Sequence, residues 1–341
     1  MSSSEGAEVD GAVAEVRSAL LGGELTLTAG QVAAAAGVSR DLTKRLWRAM
    51  GFADIPDDEA AFTQEDLEAL RRTGAMMERD DLGEGDVLHL ARVLGLATAR
   101  MADSVVSFTL ERMAGGDHPI DGAILEELDH LVVYLLNRNL AAAVERYLPE
   151  HTPGAGDGDA AAVLAVGFAD LVGFTRLSQR LTDTELAGLI EEFEATASDA
   201  IVVNGGRVVK MIGDEVMWCA DPPVAVEIAL LLAESFDDPD RPSVRVGLAS
   251  GGVITRAGDL FGPTVNLAAR ATGMARAGSV LVAEDMFPVV ESDPRYHLRR
   301  LRPRRLKGIG WANLAAVSRD RHRPEPSGSA PGDPPAASRD S

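Results

Sequence analysis

A chain of 341 residues, 46% of them hydrophobic, is long enough for two domains and too apolar for wholesale disorder. Its formal net charge of −20 repels nucleic acid and anionic membrane alike, so an anionic substrate requires metal ions or local lysines to offset the field. The single cysteine, Cys219, excludes a disulfide within the chain, reads as a small core residue and points to the reducing cytoplasm.

The first residues, MSSSEGAEVDGA, show neither a basic region nor a long apolar stretch, so no secretory leader is expected. The longest apolar run, AAAVLAVGFA at 160–169, falls well short of the roughly 20 residues that span a bilayer. Residues 1–10 read as disordered. Across 11–150 apolar residues recur at spacings of three and four, which predicts an all-α domain of amphipathic helices. Within it, TAGQVAAAAGVSRDLTKRLWRAM resembles a winged, MerR-like helix-turn-helix, with Gly37-Val38-Ser39 as the turn and 40–50 as the recognition helix. That resemblance implies a DNA-binding regulator as a rival reading, and charge opposes it. Residues 28–72 hold six Lys or Arg against eight Asp or Glu, where phosphate binding needs a net basic footprint.

HTPGAGDGDA at 151–160 is a break rich in Gly, Pro and Asp. Beyond it VLAVGFADL, RVVKMI, EVMWCA, SVRVGLAS and SVLVAE read as strands separated by helices, one starting at a capping box of Thr182 and Glu185. Over 163–283 this order predicts a ferredoxin-like βαββαβ unit, hence an α+β fold for 161–320. The tail, 321–341, is Pro/Ser/Gly-rich and reads as disordered.

Chemistry concentrates in three places. Asp170 ends the first strand, and Asp214 lies at the Gly213-Asp214 tip of the hairpin that should neighbour it. Two adjacent carboxylates repel unless cations lie between them, and hard oxygen ligands suit Mg²⁺ or Mn²⁺; alternatively both residues only shape turns. Lys210 shares a strand face with Ile212 while Met211 takes the other, and a lysine there either guards an edge or needs a partner. Asn266 and Arg270 fall four apart in TVNLAAR, on one helix face. Glu215 has no role in this pattern and reads as solvated, and no residue presents itself as a general base.

Taken together, FADLVGFT, NGGRVVKMIGDEVM and GDLFGPTVNLAAR resemble the catalytic core of class III adenylate cyclases, over roughly 160–318. The resemblance implies that Asp170 and Asp214, with the Leu171 carbonyl, hold two divalent cations. It places Lys210 and Asp259 as readers of adenine, Asn266 and Arg270 on ribose and phosphates, and Lys307 as a phosphate-binding lysine beside Arg302, Arg304 and Arg305. It further implies ATP as substrate and a homodimer whose two sites are shared across the seam. The helical first domain is similar to autoinhibitory, dimer-forming regulators, some responsive to pH or fatty acids. Four of the six histidines (His89, His118, His130, His151) precede the catalytic domain, and 131–160 is where a switch would transmit its state. The apolar helices at 86–114 and 123–148 read as dimer core or as walls of a lipid pocket. A catalytically inactive cyclase-like dimer is the other alternative, opposed by the complete residue set.

Overall fold

The computed structural model describes residues 16–114, 122–147, 163–238 and 241–320. The expected disorder at 1–10 and 321–341, the break at 151–160, and His118 and His151 lie outside them. The chain divides into two compact units, Met1–Ala142 and Ala143–Ser341.

In the first unit α1 (Ala29–Ala36) starts at Thr28, whose hydroxyl accepts from Gln31 N while Gln31 Oε1 accepts from Thr28 N at 2.8 Å, so two orphan amides are satisfied at once. It ends at Gly37 with φ 71°, a left-handed conformation that glycine adopts without penalty. Ser39 then caps α2 (Arg40–Ala49) through Leu42 N at 3.1 Å, so the Gly37-Val38-Ser39 turn lies where the sequence put it. Next come α3 (Gln64–Arg79), capped by Thr63, α4 (Glu84–Ala114) and α5 (Gly122–Tyr147). Leu42, Leu46, Val87 and Leu88 form one small core, and Ala29, Val32 and Phe62 another. Beyond Leu88 the apolar side chains of α4, from Leu90 to Leu110, are mostly exposed.

In the second unit β1 (Val163–Leu171) leads through α6 (Phe174–Leu177) and α7 (Asp183–Val203) to β2 (Arg207–Ile212). The Thr182–Glu185 capping box is present at the start of α7. The chain continues through β3 (Glu215–Ala220), α8 (Pro222–Ser235), β4 (Val244–Gly252), β5 (Ile254–Arg256), β6 (Asp259–Phe261) and α9 (Pro263–Met274). It closes with β7 (Val280–Ala283), α10 (Phe287–Ser292), β8 (Tyr296–Arg300), β9 (Arg304–Leu306), β10 (Gly310–Ala312) and β11 (Leu314–Arg319). The main sheet has the order β2-β3-β1-β4-β7-β11-β8. Its first four strands, with α7 and α8, are the expected βαββαβ unit, all antiparallel neighbours. That unit closes at Gly252; the predicted strand at 280–283 is a further addition, parallel to β4.

Alternation sends Leu171, Val216, Trp218, Val246 and Leu248 to one face, against Phe193 and Ile201 of α7 and Ile228 and Leu232 of α8. Val166, Phe168, Met217, Cys219 and Ala249 face the other way, against Ala268 and Ala271 of α9 and against Leu306. Cys219 is buried, as its strand setting implied. Burying each large side chain contributes about 1.5–3 kcal/mol, so both faces hold the sheet in place under the residues below.

Candidate active site

Gly213 takes φ 63° while Asp214 keeps negative φ, the pattern of a two-residue II′ hairpin turn between β2 and β3. Leu171 N donates to Asp214 O at 3.0 Å, which ties the turn to the end of β1. The Asp214 carboxyl is raised above the ordinary carboxylate range, first by burial and then by the charge and hydrogen bond of Asp170 beside it. The two acids therefore meet at neighbouring strand ends, as the hairpin reading required.

Strand register adds two charges to them. Asp170 lies opposite Arg245 on β4 and Glu215 on β3. Arg245 donates to Asp170 Oδ2 from Nε at 2.6 Å and also from Nη2. The expectation that Glu215 is merely solvated is corrected: it is partly buried, and burial followed by Asp170 and Asp214 raises its carboxyl. It occupies the same face as Asp170 because odd residues of β3 oppose even residues of β1.

On β2 the register slips between Val208 and Lys210, a bulge at Val209. Val208 and Met211 consequently pack on the core under α7 and α8, while Val209 packs on the opposite one. The hairpin register, Ile212 opposite Glu215 and Lys210 opposite Met217, sets the face of Lys210. Its Nζ reaches Asp259 Oδ2 at 2.5 Å, and Asp259 Oδ1 accepts from Leu260 N at 2.8 Å. Asp259 begins the second arm of the β5–β6 hairpin, whose turn places both Ala257 (φ 52°) and Gly258 (φ 80°) in the left-handed region.

Asn266 and Arg270 are exposed one turn apart on α9, which starts at Pro263 just after that hairpin. Lys307 is exposed in the β9–β10 turn, next to the buried Leu306 that packs on the same core as α9. Arg302, Arg304 and Arg305 are exposed beside it. Among the described residues, no hydrogen bond or ion pair joins Asn266, Arg270 or Lys307 to Asp170, Asp214 or Lys210. The site residues thus form a carboxylate pair with Arg245, a Lys210–Asp259 pair, and a third set left open to solvent. Arg245 escaped the sequence reading because a lone Arg in VRVGL looks like any solvated strand residue; only register against β1 gives it meaning.

Two carboxylates at adjacent strand ends, a lysine–carboxylate pair and an arginine-bearing helix on one α+β sheet suit a metal-assisted enzyme acting on a nucleoside polyphosphate. Residues 159–316 match the adenylate and guanylate cyclase catalytic domain, and residues 11–115 match the adenylate cyclase regulatory domain. The chain belongs to this cyclase family. It is 44% identical to an adenylate cyclase of Streptomyces coelicolor over 277 residues, 77% of this chain and 71% of that one. It is 34% identical to an adenylate cyclase of Glutamicibacter nicotianae over 322 residues, 87% and 80% of the two chains. A pH-sensitive adenylate cyclase of Mycobacterium tuberculosis is 32% identical over 322 residues, 87% of this chain and 79% of that protein.

Proposed function

We infer that this chain is an adenylate cyclase, acting on ATP rather than GTP. The ribose 3′-oxygen attacks the α-phosphorus in line, its proton passes to solvent, the bond to the β-phosphate oxygen breaks, and cyclic AMP and pyrophosphate result. The observation that carries the choice of purine is the 2.5 Å Lys210–Asp259 pair. An ammonium donates to adenine N1 and a carboxylate accepts from the 6-amino group. Guanine offers an N1–H and a carbonyl there, and such a mismatch in a polar site discriminates by up to about 10⁴–10⁵-fold.

Asp170 and Asp214, with the Leu171 carbonyl, fit two hard divalent cations, Mg²⁺ or Mn²⁺. When bound, such ions offset triphosphate charge and make the attacking hydroxyl more acidic. Arg245 pairs with Asp170 from the neighbouring strand, where its guanidinium would also suit phosphate oxygens. Asn266 and Arg270 orient ribose and phosphates, and Lys307 takes a terminal phosphate.

Each chain carries every set once, and among the described residues no side-chain hydrogen bond or ion pair joins the sets, which supports a head-to-tail homodimer with two shared sites. Mixing Asp170→Ala with Lys210→Ala chains then rebuilds one intact site per heterodimer. About a quarter of wild-type cyclic AMP production is expected from a statistical mixture. Heterodimers without activity would overturn the shared site, and preference for GTP in a direct assay would overturn the purine assignment.

The matched regulatory domain supports control of the site by the helical half, with protons or a fatty acid as stimulus. By length and composition α4 is apolar enough over Glu84–Leu110 to cross a bilayer, which a search for unbroken apolar runs does not register. Arg92, Arg100 and Asp103 lie inside it, and each would cost about 2.5–3.5 kcal/mol at a membrane centre, so dimer core in the cytoplasm is the better reading. DNA binding is disfavoured by α2 itself. Lys44 pairs with Asp57 at 2.6 Å, Arg45 with Glu84 at 2.8 Å, and Arg48 with Asp54 at 2.7 Å, while Arg40 lies 4.0 Å from Asp57.

A further inference from the structure

Four charged side chains lie in a row across the central strands: Arg245 on β4, Asp170 on β1, Glu215 on β3 and Lys210 on β2. Asp170 is directly opposite both Arg245 and Glu215. Glu215 pairs in register with Ile212, and Lys210 with Met217, so Glu215 and Lys210 are diagonal neighbours on one face, within reach of long side chains. We propose that Glu215 is a positioning residue for purine recognition, holding the Lys210 ammonium in place when Asp259 turns from it to the adenine 6-amino group. The inference rests on the adenine-reading role of Lys210 and Asp259.

Lys210 and Asp259 satisfy each other in the structure. Adenine must open that pair, because its N1 needs the lysine hydrogen while its amino group needs the carboxylate. A lysine on a flexible four-carbon stem would follow the departing carboxylate or drift toward the cation-seeking acids. Glu215 is fixed on the rigid strand that pairs with β2. Asp170 and Asp214 repel its carboxylate from one side, and Lys210 attracts it from the other. Partial burial keeps that attraction from being screened away. Regular pairing from Ile212–Glu215 back to Lys210–Met217 puts lysine and glutamate on the same face.

The test uses the full-length enzyme and two inhibitors, 3′-deoxy-ATP, which carries the base but no attacking hydroxyl, and inorganic tripolyphosphate, which carries no base. Glu215→Gln keeps size and removes charge. Its inhibition constant for 3′-deoxy-ATP should rise roughly tenfold, the effect of one charged hydrogen bond, with tripolyphosphate inhibition and half-saturating Mn²⁺ unchanged. Unchanged constants for both inhibitors, or equal losses for both, would overturn the role, as would a shifted Mn²⁺ requirement, which would make Glu215 part of the cation site. Lys210→Ala run in parallel separates the two ideas. If it too leaves the ratio of the inhibitors untouched, the purine-reading assignment fails and this inference with it. If it shifts the ratio while Glu215→Gln does not, Glu215 alone is excluded.

Discussion

At the scale of single residues, Asp214 has the clearest pH signature. Its folded-state carboxyl lies above the ordinary aspartate value of about 3.8, because burial and Asp170 disfavour the charged form. The folded chain thus binds this proton more tightly than the unfolded one, and stability falls as pH rises from about that ordinary value through the raised one. Asp214→Asn should melt higher than wild type at neutral pH without divalent ions, with the gain vanishing in acid and with cyclisation lost. A lower melting temperature at pH 7, read by calorimetry, would contradict this. Asp259 entered only through the family resemblance, whereas three site residues, Asp170, Asp214 and Lys210, declare themselves locally, as acids at a strand end and a turn or as a charge inside an apolar strand. Glu215 and Arg245 do not, since their meaning depends on which residue lies across the strand gap. No spacing along one chain encodes that directly.

Elements place these side chains through close approaches that glycine permits. A Cβ on Gly247 of β4 would meet Thr272 N and lie 2.7 Å from Ala268 O, both backbone atoms of α9 that cannot swing aside. Gly247→Ala should therefore push α9 off the sheet, costing about 1–3 kcal/mol and moving Asn266 and Arg270 with it. Urea unfolding and the KM for ATP both report it, and unchanged values would show that α9 tolerates displacement. Gly167 plays a similar part on β1, where a Cβ would lie 2.8 Å from Trp218 Nε1. The alternating pattern of β1, β3 and β4 announced these strands well, and Thr182 and Glu185 announced the start of α7. The bulge at Val209 was not legible, because Val-Val-Lys-Met fits a regular strand equally well and only the partner strand exposes the extra residue. The edge strand β8 of the main sheet and β9 of the separate β9–β10 pair were also missed, since YHLRR and RRL are too basic to look buried and in fact are mostly exposed.

Across the whole molecule charge is unevenly spread. Residues 294–319 contain eight Lys or Arg and no Asp or Glu, within a chain of net charge −20. Arg302, Arg304, Arg305 and Lys307, exposed around the Leu306 that packs with α9, form a cationic lip that should draw in ATP electrostatically on an otherwise repulsive protein. The KM for ATP should rise several-fold from about 50 to 500 mM salt at fixed free metal, more than kcat falls. An indifferent KM would assign the lip another purpose. The helical half gives a separate test, because a chain starting at residue 155 should be more active than the full chain or differ in pH profile. Identical activity and pH response would remove regulation by the first unit.

The ion-paired helix α2 carries a consequence for anyone hoping to build DNA affinity into this scaffold. Its four cations already have counter-ions supplied by Asp54, Asp57 and Glu84. Amidation of those three acids, rather than grafting of extra lysines, is the shortest route to an electropositive α2, because the present carboxylates already neutralise its cations in place.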